Sequence, residues 1–330
     1  MFQGLDNAPQ ILNIERPELG LTAFIVIDQP SFDISAGGIR TKTYSSNAAA
    51  LDDAKALARA MTIKCALGGL PVGGAKAVVK LHAGLRREEA FIHLGEVVES
   101  LAGRFRTAGD LGTFEHDLQL MATRTGFVHT NEQELGRSVA LGLVACIESV
   151  RSEVFAEYPS VLRVSVQGAG AIGSSVAKEL SNEGYEILIS DLDETKALET
   201  GHKVLPASAA LFAEVDILSP CAIGSVVSNS TWSKLRSKII CGAANNIVSG
   251  LDVHWHLHRN GTIFIPDVVS SAGAVVDGIG ESVLGMSDRT DLILKLGETA
   301  KQILQLSQTN DEPPHLAALS LAASRIASRS

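Results

Sequence analysis

The amino-acid sequence predicts an α/β protein of two domains, the second built on a doubly wound parallel sheet. Three observations carry this. Short apolar runs alternate with segments of helical period between Leu21 and Arg151; the alternation tightens after Val161; and the first strand of that second half runs straight into the glycine turn GAGAIG. With 330 residues and 45% apolar content there is material for a packed core in each domain.

In the first half, LTAFIVID and GGIRTKTY read as strands. Asn47 stands where an N-cap is needed. After it Leu51, Ala54, Leu57, Ala58 and Met61 recur at spacings of three and four, which predicts a helix ending near Lys64. The stretch GLPVGGAKAVV, residues 69–79, enters the next strand through small residues and carries a lysine, Lys76, beside an apolar run. Such a charge is costly to desolvate unless its stem snorkels to water or a pocket uses it. A helix over residues 86–101, a strand at RFRTA and a helix from Phe114 follow. In the second half, strands are expected at LRVSVQ, YEILIS, VDIL, SKIICG and TIFIP, each separated from the next by a helical crossover. Two helices, near residues 291–306 and 314–327, close the chain with SQTNDEPP as the turn between them. The expected boundaries are 1–137, 138–285 and 286–330, the last segment being helices that return to the first domain.

Several function classes are disfavoured. The stretch MFQGLDNAPQ lacks the basic head and apolar run of a signal peptide, and no segment approaches the roughly 18 apolar residues that span a bilayer, so a cytoplasmic protein without a membrane partner is expected. The formal charge of −9 is spread without a basic block, which argues against nucleic acid. Cys65, Cys146, Cys221 and Cys241 show no C-x-x-C spacing and read as small core residues. HWHLH sets His254, His256 and His258 two apart, which would make a metal face on a strand; a crossover helix is expected there and scatters the rings, so no metal is expected.

The glycine turn places Gly168, Gly170 and Gly173 in G-x-G-x-x-G spacing, with Ala169, Ala171 and Ile172 between them and a helix opening immediately after. The first glycine serves the tight turn, the second lets backbone approach a pyrophosphate, and the third lets helix pack on strand. The helix N-terminus then offers N–H groups to the phosphates. The next strand ends in Asp191, where a carboxylate binds ribose hydroxyls. Leu192, Asp193 and Glu194 follow, so no arginine stands ready for a 2′-phosphate, and NAD is expected in preference to NADP.

GGIR, ALARAMTIKCALGGLPVGGAKAVV and RTAGDLGT resemble, in order and spacing, the substrate domain of the glutamate/leucine/phenylalanine/valine dehydrogenase family. DILSPCAIGSVV, IICGAANNIV and GTIFIPDVVSSAGAVV resemble that family's cofactor domain. The resemblance, closer to the leucine, phenylalanine and tryptophan type than to the glutamate type, implies reversible oxidative deamination of an amino acid to a 2-oxo acid and ammonia. It implies a homo-oligomer, at least a dimer, joined through the first domain, with the site in a cleft between domains that closes to exclude water.

Residue by residue, Lys76 matches the family's catalytic lysine, a general base whose pKa falls when it is partly buried beside another cation. Lys64 matches the lysine that binds the substrate α-carboxylate, with Met61 one helical turn before it. Asp110 matches the acid that exchanges a proton with the substrate nitrogen. Gly37 and Gly38 match the loop that closes over the substrate, and Asn245 an asparagine that reaches it. Ser138 falls where the family has a threonine near the nicotinamide, and Cys221, Ala222 and Ala243 lie in its cofactor motifs.

Three departures stand out. Ala75 adds a methyl before Lys76. Ser271, Ala272, Gly273 and Ala274 replace an asparagine-alanine-glycine-glycine run, giving the nicotinamide carboxamide a shorter partner. HTNEQELGR, with Glu132 and Glu134, replaces a segment with proline and glycine. Ala36 stands where glutamate enzymes place a lysine, leaving volume for an apolar or aromatic side chain. Asp277 reads as a helix-surface or supporting acid rather than a wall of the pocket. Two other functions remain in view: a regulatory protein that binds dinucleotide without turnover, and an imine reductase using an amine other than ammonia. The retention of Lys64, Lys76 and Asp110 together argues against the first.

Overall fold

In a computed structural model, residues 8–130, 135–155 and 161–329 are described. The chain forms two units: Met1–Glu132 with Gly278–Ser287 and Ala322–Ser330, and Gln133–Asp277 with Asp288–Leu321.

The first unit holds a five-stranded sheet of β1 (Gln10–Arg16), β2 (Leu21–Ile27), β3 (Ser35–Lys42), β4 (Gly73–Lys80) and β5 (Phe105–Gly109), in the order β1-β2-β4-β3-β5. β1, β2 and β4 pair antiparallel, whereas β3 runs parallel to both β4 and β5. Side chains alternate across a strand, so β4 serves two cores. Ala75, Ala77 and Val79 join Ile25, Ile27, Phe91 and Leu94, the last two from α2 (Arg87–Ser100). Val78 turns the other way, to Phe24 and Val26 under Ala50, Ala54 and Ala58 of α1 (Asn47–Leu67). Lys76 is in phase with Val78 and belongs to the α1 side.

Two local expectations are corrected. The N-cap of α1 is Ser46, whose hydroxyl accepts from the Ala49 amide at 3.0 Å; Asn47 is the first helical residue and accepts from Lys80 Nζ at 2.5 Å. Strand β1 was not anticipated, because an edge strand with only Ile14 buried shows no apolar run.

The second unit holds a parallel sheet of six strands: β6 (Arg163–Gln167), β7 (Glu186–Ser190), β8 (Lys203–Val204), β9 (Ile217–Pro220), β10 (Ile239–Ile240) and β11 (Ile263–Phe264). Their order, β11-β10-β9-β6-β7-β8, is the doubly wound arrangement expected from the sequence, with its switch point between β6 and β9. β8 is an addition to the expected strands. The crossover between β9 and β10 carries only a 3-10 turn at Trp232–Lys234 in place of the expected helix.

The helices of the second unit are α4 (Leu135–Val154), α5 (Ala171–Asn182), α6 (Glu194–Glu199), α7 (Leu251–Arg259), α8 (Asp267–Ser270) and α10 (Thr290–Asn310); α9 (Gly273–Ser282) and α11 (Pro314–Ala327) are divided between the two units, and α3 (Glu115–Ala122) lies in the first. HWHLH lies on α7, and its rings go to three partners: His254 stacks on His315, His256 on Trp232, and His258 meets Asp311. Among the described residues no helix is long and apolar enough to cross a membrane.

Candidate active site

The local sequence around Lys76 explains how a lysine comes to sit under a helix. Small residues Ala54 and Ala58 bring α1 close to β4, and the Gly74 amide donates to Thr62 Oγ1 at 3.1 Å, whose hydroxyl in turn donates to Asp28 Oδ2 at 2.7 Å. The register of β3 against β4 carries Gly37 and Gly38 level with Ala75 and Lys76. A Cβ on Gly37 would fall 1.7 Å from the Ala75 carbonyl oxygen, so no other residue fits there. On its far side β3 pairs Gly38 with Ala108 of β5, and Asp110 follows at that strand's end.

This packing brings the side chains together. Lys76 is 6% exposed, and its Nζ lies 2.8 Å from Asp110 Oδ2. Arg40 Nε donates to the same oxygen at 2.9 Å. Arg40 Nη1 also lies 3.5 Å from Asp53 Oδ2, which accepts from the Tyr44 hydroxyl at 2.5 Å. Burial, the largest influence, draws the Lys76 pKa below that of an ordinary lysine; Arg40 acts the same way and Asp110 opposes them. Burial works to raise the Asp110 carboxyl, but Lys76 and then Arg40 more than offset it, and it titrates below the usual carboxylate range.

Of the other expected substrate residues, Met61 and Lys64 lie on the last turns of α1, both half-buried, and Ala36 is buried on β3 beside Gly74. Arg40, Asp53 and Tyr44 were not singled out from the sequence, although Arg40 ends the GGIR motif.

In the second unit the glycine turn links β6 to α5. Gly168 has φ of 103°, and a Cβ on Gly173 would lie 2.0 Å from the Gly168 carbonyl oxygen, so both must be glycine. A Cβ on Gly170 would meet nothing within 4 Å: the space in front of the helix start is open. Ala171 and Ile172 begin α5, and Ala169 donates its amide to Asp191 Oδ2 at 2.7 Å. The Asp193 amide donates to the other Asp191 oxygen at 3.0 Å, and these bonds, Ala169 first, hold the carboxyl below its usual range. Across the switch point Ala222 packs on Gly168, and Cys221, which follows β9, lies beside Gly173 with the backbone of Ala243 as a hydrogen-bond partner.

Ser138, in the first turns of α4, is buried and donates to Asp277 Oδ2 at 2.6 Å. Arg289 Nε donates to the opposite oxygen at 2.7 Å. Asp277 is therefore a buried acid with both oxygens engaged. Gly273 packs on the Ser138 backbone, which brings the Ser271 segment alongside; the Ser271 hydroxyl donates to the Asp267 carbonyl at 2.6 Å. Asn245 lies exposed after β10. Glu132 and Glu134 lie outside the described residues.

A doubly wound unit with an open glycine turn, and an α/β unit with a buried lysine–carboxylate site, define the class: an α/β oxidoreductase of the dehydrogenase type. Family models for the Glu/Leu/Phe/Val dehydrogenase dimerisation domain and for Glutamate/Leucine/Phenylalanine/Valine dehydrogenase match residues 13–126 and 188–329. The chain belongs to this family. It is 31% identical to a leucine dehydrogenase of Bacillus cereus over 97% of this chain and 91% of that one, and 28% identical to a phenylalanine dehydrogenase of Lysinibacillus sphaericus over 93% and 84%. The crystal structure of L-tryptophan dehydrogenase from Nostoc punctiforme superposes with a TM-score of 0.86 at 27% identity, covering 97% of this chain and 96% of that one.

Proposed function

We propose that the chain is an NAD-dependent amino-acid dehydrogenase, interconverting an L-amino acid of apolar or aromatic side chain with its 2-oxo acid and ammonia. The observation that supports this most is Lys76, buried and 2.8 Å from Asp110 in the unit that also carries Lys64. The names of its relatives, which are leucine, phenylalanine and tryptophan dehydrogenases, point the same way.

In this reading Lys64 holds the substrate α-carboxylate and orients Cα. The glycine turn from Gly168 to Gly173 and Asp191 would hold the dinucleotide, which would supply the acceptor for the hydride from Cα. Lys76, in its neutral form, takes a proton from the water that attacks the iminium carbon, and the ionised Asp110, 2.8 Å away, relays that proton to the substrate nitrogen as ammonia leaves. Gly37 and Gly38 present backbone to the substrate without side chains in the way.

The glycine turn suits a dinucleotide, because Gly170 leaves open space before the α5 amides. An ionised Asp191, followed by Asp193 and Glu194, repels a 2′-phosphate. A Michaelis constant at least tenfold lower for NADH than for NADPH is expected on that ground; equal use of both would remove it. Asp277 offers no free oxygen to a cationic side chain, since Ser138 and Arg289 hold both. Together with Ala36 this favours an apolar substrate. Initial rates with branched, aromatic and acidic 2-oxo acids, with and without ammonia, test the reading. Preference for 2-oxoglutarate would overturn the Ala36 argument, and turnover only with another amine would make the protein an imine reductase. We place oligomerisation, at least to a dimer, in the first unit, whose matching family model is named for dimerisation.

A further inference from the structure

This inference deepens the reading above and rests on it. Arg40 lies two positions past Gly38 on β3 and therefore points to the same side of the sheet. It stands in a line of alternating charge: Asp53 from α1, Arg40 from β3, Asp110 from the segment after β5, and Lys76 from β4, with the Tyr44 hydroxyl closing the far end on Asp53. The side chains of Asp53, Arg40 and Asp110 are 28%, 19% and 25% exposed and that of Lys76 only 7%, so the attraction is least screened at the lysine end. Lys64, in the last turn of α1, carries a further positive charge.

Lys76 and Arg40 both donate to one atom, Asp110 Oδ2. A buried lysine facing a carboxylate alone forms a closed ion pair that resists giving up its proton. A guanidinium sharing the oxygen weakens that hold, and its planar fork fixes where the carboxylate points.

We propose that Arg40 is a positioning residue of the reaction: anchored by Asp53 and Tyr44, it fixes Asp110 in line with Lys76 and keeps the two from locking into a closed ion pair.

The test uses the 330-residue chain with Arg40→Met and Arg40→Lys beside the wild type. Two quantities are followed against pH: acetylation of Lys76 by acetic anhydride, read by mass spectrometry of its peptide, and kcat/KM for amino-acid oxidation. In Arg40→Met the acetylation midpoint is expected to rise by about one pH unit, the acidic limb of kcat/KM to move with it, and kcat to fall roughly tenfold or more. Arg40→Lys keeps the charge and loses the fork, so the midpoint stays near that of the wild type while kcat still falls. An unmoved midpoint in Arg40→Met overturns the proposal whatever happens to kcat. So does a kcat for Arg40→Lys equal to that of the wild type. If Arg40→Met fails to fold, judged by circular dichroism, Arg40→Lys and Asp53→Asn decide, the second expected to lower kcat by a few-fold through the lost anchor; no fall in either rejects the idea. Acetylation is read without turnover, so an inactive wild type would sink the proposed activity and leave this inference to be judged on the midpoint.

Discussion

Replacing Lys76 with alanine is expected to lower kcat by about a thousandfold or more while NADH binding, followed by quenching of protein fluorescence, stays within a factor of about two. The asymmetry follows from placement. Lys76 is on β4 of the first unit, whereas the glycine turn and Asp191 belong to the second. Loss of the ammonium leaves Asp110 paired with Arg40, so no buried carboxylate is stranded and folding should survive. A general base in this range contributes by taking the proton from attacking water, a task for which its neighbours are unsuited: Arg40 does not deprotonate, and Asp110, held below the usual carboxylate range, is too weak a base. Since the wild-type lysine must be neutral to act, kcat/KM for oxidation rises with pH through its lowered pKa, and that limb should vanish in Lys76→Ala. A variant retaining even a tenth of wild-type kcat would mean that another group activates water.

How far the sequence already spoke depends on how much local information each feature needs. β7 is legible because a strand buried on both faces gives an unbroken apolar run, Ile187 to Ile189, and β6 because its two valines lead straight into the glycine turn, whose geometry demands glycine at fixed spacing. β10 and β11 fall within the expected strands SKIICG and TIFIP, but at two residues each are too short for periodicity to mark their edges; β8 is as short and gives no run, and β1 hides because one buried side chain sets no pattern. Lys76 stands out as a charge beside an apolar strand, and the resemblance implies separate roles for it and Asp110, but their ion pair is not readable from the sequence, since the contact is made across β3 by strand register. Arg40 had no such signal. An arginine in a strand reads as a solvated residue, and what distinguishes this one is its pair of carboxylates from two other elements. Asp277 illustrates the same limit: its partners, Ser138 and Arg289, belong to separate stretches of the chain, and only folding shows that it is buried and engaged.

Asp110→Asn should separate the two jobs of the carboxylate. The amide keeps the shape but cannot give a proton to the leaving nitrogen, and kcat is expected to fall by about a hundredfold or more with KM for the 2-oxo acid changed only a few-fold, because Lys64 still binds the carboxylate. The electrostatic consequence has a definite sign. Asp110 is the partner that raises the Lys76 pKa against burial and Arg40. Without its charge Lys76 becomes more acidic, and the pH midpoint for its acetylation should fall below that of the wild type. Arg40→Met moves the same midpoint upward, so the two substitutions slow the reaction while displacing one titration in opposite directions. A generic disturbance of the pocket would not do that: damage that merely admits water relieves the burial that lowers the lysine and drives its midpoint up in both variants. An upward shift in Asp110→Asn would therefore mean that the carboxylate shapes the site through packing, and that the charge pattern linking it to Lys76 is not what tunes the base.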